Sequence, residues 1–207
     1  MAKPPKRRSI SLALQGGGAH GAYTWGVLDR LAEEDDLDIA AISATSAGAI
    51  NAAAWGSGFA KDGAAGAKKN LEAVWRGVSH SGSSMAPFGT WGAMAFAYAS
   101  ALQSLASPYD FNPFNLNPLR QIINAEIDFD ALHESGIKLF LSATNVESGR
   151  VKVFERGEIN VDTVLASACL PQVFQAVEID GNPYWDGGYM GNPSLFPLVY
   201  SGSPRDV

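Results

Sequence analysis

Cysteine is nearly absent from this chain. Cys169 stands alone among 207 residues, so no disulfide can form within it and no thiolate cluster can hold a metal. That fits a reducing compartment. Histidine is almost as scarce: His20, His80 and His133 are the only three, and any nucleophilic site with a histidine base must draw on them. Basic charge is short too. Fifteen Lys and Arg face 21 Asp and Glu, a net charge of −6, so the overall positive field that nucleic-acid binding uses is missing. The basic residues Lys3, Lys6, Arg7 and Arg8 gather in a proline-containing stretch. It reads as a flexible, solvated tail over residues 1–9, in preference to a membrane-surface contact. No window reaches the roughly 18 uncharged apolar residues of a membrane span. Gly16, Gly17 and Gly18 interrupt the first apolar run before it resembles a signal peptide. The expectation is a cytoplasmic protein whose contact with membrane, if any, is peripheral.

What is present describes one globular domain over residues 10–207, with 46% hydrophobic and 17% charged residues. Residues 10–14 read as a buried strand ending abruptly in Gln15-Gly16-Gly17-Gly18. Ala22, Trp25, Leu28, Leu31 and Ala32 then recur at helical spacing. A second apolar strand at 39–42 runs into a sharp turn, and small residues from Ala47 to Ala54 describe a tightly packed helix. Strand, glycine turn, helix, strand, turn, helix is the pattern of an α/β fold with a parallel sheet. Further on, a helix is expected over 67–78, followed by a Ser/Gly loop. The uncharged stretch 91–102 reads as a buried helix, with a lipid-facing lid as the sharper alternative. Pro118 opens a short helix. Strands are expected at 137–145 and 150–154, and a helix over 161–170 is stopped by Pro171. A hairpin of 176–179 with Tyr184 and Trp185 then delivers Asp186-Gly187-Gly188.

The turn Ala44-Thr45-Ser46-Ala47-Gly48 has the form of a nucleophile elbow, with Ala44 where the usual pattern has its first glycine. Such a turn lifts Ser46 Oγ clear of the backbone, and the following helix aims N–H groups at it. A serine hydroxyl needs a base. His20 sits in the first turn after the glycines, where capping or packing suits it better. His80 and His133 lie in polar, loop-like stretches, and none follows the elbow as the order Ser…Asp…His requires. The remaining base is Asp186, with bulky Tyr184 and Trp185 before it and Gly187 and Gly188 allowing close backbone approach behind it. Burial beside aromatics raises a carboxylate's affinity for a proton. Standing alone, the elbow string is more often a tight strand–helix packing site, and Asp-Gly-Gly more often just a turn.

The run Gly16-Gly17-Gly18-Ala19-His20-Gly21 also matches the Gly-x-Gly-x-x-Gly dinucleotide fingerprint. A dinucleotide site wants an acid closing the second strand, and that strand closes in Ala44-Thr45-Ser46 instead. A phosphate-binding loop would want Gly-Lys-Ser/Thr. The glycine N–H groups serve better as an oxyanion hole, where each donor is worth roughly 3 kcal/mol in the transition state.

In order along the chain, Gly16-Gly17-Gly18-Ala19-His20-Gly21, Ala44-Thr45-Ser46-Ala47-Gly48-Ala49, Ala166-Ser167-Ala168-Cys169-Leu170-Pro171 and Asp186-Gly187-Gly188 resemble the blocks of the patatin-like phospholipase family. Residues 141–149 resemble the strand and turn that bacterial members carry between elbow and aspartate. The resemblance runs from Leu12 to Pro193. It implies a three-layer α/β/α sandwich around a mostly parallel sheet, and hydrolysis of lipid acyl esters, phospholipids among them, without metal or organic cofactor. Ser46 would be the nucleophile and Asp186 the general base. The N–H groups of Gly16, Gly17, Gly18 and Ala47 would surround the oxyanion, with Ala44, Gly48, Gly187 and Gly188 supporting elbow and dyad. It also implies a further strand and helices after Val207, hence a domain truncated at its C-terminus. The alternatives are a catalytically silent lipid-binding protein of the same fold and, more remotely, a nucleotide-binding protein using the glycine loop.

Overall fold

The computed structural model describes residues 7–84, 107–204 and 206–207. The stretch 91–102 lies outside the described residues. Strand β1 (Arg8–Leu14) begins two residues before its expected start. Helix α1 (Gly21–Leu31) follows, then strand β2 (Leu37–Thr45) and helix α2 (Ala47–Ser84). Two short helices, α3 (Pro108–Phe111) and α4 (Pro118–Glu126), lead to α5 (Phe129–Glu134) and strand β3 (Lys138–Asn145). Strand β4 (Arg150–Glu155), helix α6 (Val161–Ser167), the hairpin β5 (Val177–Ile179) and β6 (Asn182–Asp186), and helix α7 (Phe196–Tyr200) complete the order.

This is the α/β architecture that the alternation of elements foretells. β1, β2 and β3 lie side by side and parallel, and the later strands join antiparallel: β4 to β3, β6 to β3, and β5 to β6. Ala41 to Thr45 in β2 and Leu139 to Thr144 in β3 are buried without a break, as strands with both faces covered must be. On one face Ile42, Ala44, Leu139, Leu141 and Ala143 join the main core under α2, α4, α5 and α6. The alternate residues Ala41 and Phe140 face the other way and meet Leu198 of α7.

Helix α2 is two helical arms. Asp62 and Gly63 leave helical geometry, Gly63 with φ of 53°, and the chain folds back on itself. A Cβ at Gly58 would run into the carbonyl oxygen of Gly66, so the arms touch backbone to backbone just behind the bend. Farther along, Asn70 Nδ2 donates to Ala54 O at 2.9 Å and Trp75 Nε1 to Asn51 Oδ1 at 2.7 Å. The returning arm contains the helix expected over 67–78 and carries Trp75 back to the start of the first arm. Where a Ser/Gly loop was expected, the helix continues to Ser84.

Two other expectations differ. Helix α6 ends at Ser167, three residues early, and Ala168 leaves helical geometry with φ of −111°. Helix α5 was not foreseen. Asp128 caps it, its carboxylate accepting from Ala131 N at 3.0 Å.

Candidate active site

In the register of the parallel strands, Leu14 of β1 lies opposite Ala44 of β2, which lies opposite Leu141 of β3. The glycine run after β1 and Ser46 after β2 therefore emerge side by side at the carboxyl edge of the sheet, where open α/β sheets form their crevices. The approach is close: a Cβ on Gly16 would lie 2.6 Å from Ser46 Cβ.

Ser46 adopts φ of 56°, a left-handed conformation that costs a non-glycine residue about 1–3 kcal/mol and persists only where its surroundings enforce it. The enforcement is visible. Ser46 N donates to Ser167 Oγ at 2.9 Å, and the Ser167 hydroxyl donates to Ser142 O at 2.7 Å. Beyond the turn, Ala49 N and Ile50 N donate to Ser46 O and begin α2. A Cβ at Gly48 would collide with the carbonyl oxygens of Leu14 and Gln15, so glycine is what lets the helix start this close to β1. Ala44 stands inside β2, wholly buried in the main core.

Asp186 arrives from the opposite direction. Phe140, Leu141 and Ser142 of β3 pair with β2 on one edge and β4 on the other. Ala143, Thr144 and Asn145 pair with β4 and β6. β2 and β6 thus share one edge of β3 end to end. One runs parallel to β3 and the other antiparallel, so their C-termini meet head on. Thr45 lies opposite Ser142 and Asp186 opposite Ala143, adjacent residues of one strand. This pairing brings Ser46 and Asp186 together from positions 140 residues apart.

Asp186 is only 5% exposed. Its main chain is pinned by Asp186 N donating to Cys169 O at 2.8 Å and by Thr144 Oγ1 donating to Asp186 O at 2.9 Å. Burial pushes its carboxyl above the ordinary carboxylate value. Hydrogen bonds from the Ser46 hydroxyl and the Gly188 N–H pull the other way without reversing the direction. Gly188 N donates to Asp186 Oδ1 at 2.7 Å. A Cβ at Gly187 would strike the Ser142 carbonyl oxygen, so the chain must be bare there to turn against β3. Burial also pushes the neighbouring Cys169 thiol up to about 12, which leaves it protonated and inert at neutral pH.

Of the four expected oxyanion donors, Gly16 is spoken for: its N–H donates to Asn192 Oδ1 at 2.5 Å. That is a correction to the expected set, because a proton already donated inside the protein is not offered to a ligand. Among the described residues nothing accepts from the N–H groups of Gly17, Gly18 or Ala47. Gly18 has φ of 57°, and Gly18, Ser46 and Ala47 line one cleft. Asn192 belongs to a segment tied to the strands by three more hydroxyls: Thr45 Oγ1 donates to Gly191 O, Ser43 Oγ to Ser194 O, and Ser142 Oγ to Ser194 Oγ.

The histidines are engaged with main chain. His20 Nδ1 lies 3.0 Å from Gly17 O, His80 Nδ1 2.7 Å from Arg76 O, and His133 Nε2 2.9 Å from Ile159 O. His80 and His133 stand on helices α2 and α5, where loops had been expected. Ser167 and Asn192 are the residues that sequence reasoning missed. For Ser167 a signal existed, since a serine within the buried helical run Val164 to Ser167 must find partners for its hydroxyl. For Asn192 there was none.

Comparison with known proteins gives an independent result. The family described as Patatin-like phospholipase matches residues 12–199, and the chain belongs to that family. Among solved structures, the crystal structure of VipD from Legionella pneumophila is similar. It is 16% identical, with a TM-score of 0.53 over 97% of this chain and 48% of that one, a likeness of fold. The chain spans about half the length of that protein. No match was found among curated proteins.

Proposed function

We propose that this protein is a serine carboxylic-ester hydrolase of lipids working through a Ser46–Asp186 dyad and an acyl-enzyme. The observation that carries the reading is the meeting of β2 and β6 along one edge of β3. It sets a strained serine against a buried, proton-hungry aspartate. Membership of the patatin-like phospholipase family supports the substrate class.

The chemistry follows from the parts. Asp186 takes the Ser46 proton as Oγ attacks the ester carbonyl. The negative oxygen of the tetrahedral intermediate is held by N–H groups of Gly17, Gly18 and Ala47, fixed donors that need no reorganisation. Collapse expels the alcohol, which takes the proton back from Asp186. Water then attacks the acyl-serine, gives its proton to Asp186, and the second collapse returns that proton to Ser46 Oγ and frees the fatty acid. The raised proton affinity of Asp186 serves both halves, because an ordinary carboxylate is a weak base at neutral pH. A substrate presented from a lipid surface would make the membrane contact peripheral, and no described helix is long and apolar enough to cross a bilayer.

A fluorophosphonate probe with mass mapping tests the nucleophile. Labelling at Ser46, abolished in Ser46→Ala, is expected. Folded protein that resists labelling overturns the reading. Labelling without turnover of any ester would favour the silent lipid-binding alternative.

A further inference from the structure

N–H groups that are to meet one oxygen must keep a fixed spacing, and a buried amide stands where the glycine run meets the elbow helix. Ala47 and Asn51 lie one turn apart on α2, on the face that meets the start of α1. Gly21, the first residue of α1, is pinched there. A Cβ on it would lie 2.7 Å from Ala47 Cβ and 2.7 Å from Cζ2 of the Trp75 ring. Asn51 closes the contact. It is wholly buried, its Nδ2 donates to Gly21 O at 2.9 Å, and its Oδ1 accepts from Trp75 Nε1 at 2.7 Å.

The chemistry of the partners restricts what can stand between them. An indole N–H only donates and a main-chain carbonyl only accepts. The group between must therefore offer one acceptor and one donor, and its two partners fix which way the amide points. A carboxylate has no proton for Gly21 O, and a leucine satisfies neither side. Trp75 comes from the returning arm, so the bend at Asp62–Gly63 is what carries the indole back to Asn51. From Gly21 the constraint reaches the glycines in one short turn. Residues Gly18–His20 form a single 3₁₀ turn directly before it, with His20 N donating to Gly17 O at 3.1 Å. A shift of Gly21 carries Gly17 and Gly18 with it.

We infer that Asn51 is a positioning residue: acting through Gly21, it sets the spacing between the N–H groups of Gly17 and Gly18 and that of Ala47. This rests on the hydrolase reading above and adds a residue to it. The negative oxygen exists only after attack, so a wrong spacing slows the chemistry and leaves substrate binding alone.

The test reads kcat and KM of the full chain on a soluble p-nitrophenyl ester, per active site titrated with fluorophosphonate. Asn51→Leu should lower kcat by about 10–100-fold, as displaced rather than deleted donors would, with KM unchanged. A trifluoromethyl ketone should bind more weakly by the same factor. Its carbonyl carbon bonds to Ser46 Oγ, its oxygen takes the negative charge, and Asp186 takes the proton. Asn51→Leu also strands the Trp75 N–H in an apolar site and should lower the melting temperature. Adding Trp75→Phe removes the stranded donor and should recover part of that loss. Catalysis should not recover with it. Because Trp75 also lines the cleft, the double variant is compared with Trp75→Phe alone, and its kcat should stay about 10–100-fold lower. That comparison decides if Asn51→Leu by itself does not fold. Catalysis that returns with the melting temperature, wild-type kcat per active site in folded Asn51→Leu, or a loss confined to KM overturns the inference and leaves the hydrolase reading intact. Wild type that turns over no ester and leaves Ser46 unlabelled overturns both.

Discussion

The site has two halves held in different ways. The serine–aspartate half is built from strand ends: Ser46 is fixed through Ser167 to Ser142, Asp186 through Thr144 and Cys169. The glycine half is an exposed loop, moored to the rest at Gly16 by the Asn192 side chain. A Cβ at Gly18 would meet nothing within 4 Å, whereas one at Gly48 or Gly187 would meet backbone oxygen. The difference shows that packing reaches the glycine run at Gly16, against Ser46, and again at Gly21, against Ala47 and Trp75, but not at Gly18. In the proposed chemistry the groups whose separation decides proton transfer, a half-buried serine and a buried aspartate, are cross-linked. The N–H groups proposed to receive an incoming oxygen are left open.

That contrast can be broken at its strong end first. Asp186→Asn should lower turnover by roughly 10²–10⁴-fold, the range that a positioned base supplies. It should also raise the melting temperature at neutral pH. The sign follows from linkage: the folded-state pKa of Asp186 is raised, so its stabilising contribution is whole below the unfolded-state value and is lost as pH climbs through the folded one. Asparagine removes that loss, and the gain should vanish in acid. The same shift places the acid limb of the wild-type kcat/KM profile above the ordinary aspartate value. A limb at that value, or an asparagine variant no more stable than wild type, would show the carboxylate to be better solvated than its burial implies.

Gly48→Ala comes next. Its Cβ would press on two carbonyl oxygens of fixed backbone, an overpacking of about 1–3 kcal/mol, seen as a lower denaturation midpoint with an unchanged slope. Ser167→Ala leaves Ser46 N–H and Ser142 C=O without their partner. A displacement of the nucleophile by 1 Å can cost about 100-fold, so kcat and the fluorophosphonate labelling rate should fall together while KM stays. The smallest effect is expected at the weak end. Asn192→Ala frees the glycine loop and should lower kcat by about tenfold, less than the loss of an oxyanion donor outright, with almost no change in melting temperature. If Asn192→Ala unfolds the protein or Ser167→Ala is silent, the two halves are not held as the hydrogen bonds indicate.

How much of this was legible beforehand depends on how local the cause is. The strand-end glycines and the sharp turn at Ser46 could be read because small residues at fixed offsets have few other uses. Asp186 could be singled out by eliminating histidines. Its arrival beside Ser46, however, depends on β6 pairing with β3 just beyond the end of β2, and nothing in the hairpin's own sequence encodes that register. The bend at Asp62–Gly63 was hidden for the opposite reason: both arms carry good helical spacing, and only the contact of Gly58 with Gly66 shows that they double back. The early end of α6 has its cause in the strand pairing too, since Cys169 O is needed by Asp186 N.

The head-on meeting of β2 and β6 also sets a timetable. Synthesis runs from the N-terminus, so Ser46 emerges 140 residues ahead of Asp186, and the strand that joins them lies between. Contacts so distant in sequence form late, after the local helices and the β1–β2 pair. Under the dyad proposal a growing chain therefore carries its serine through the next 140 residues of synthesis without its base. Under the proposed chemistry the ability to cut lipid would switch on only when β6 docks, once the rest of the sheet is in place.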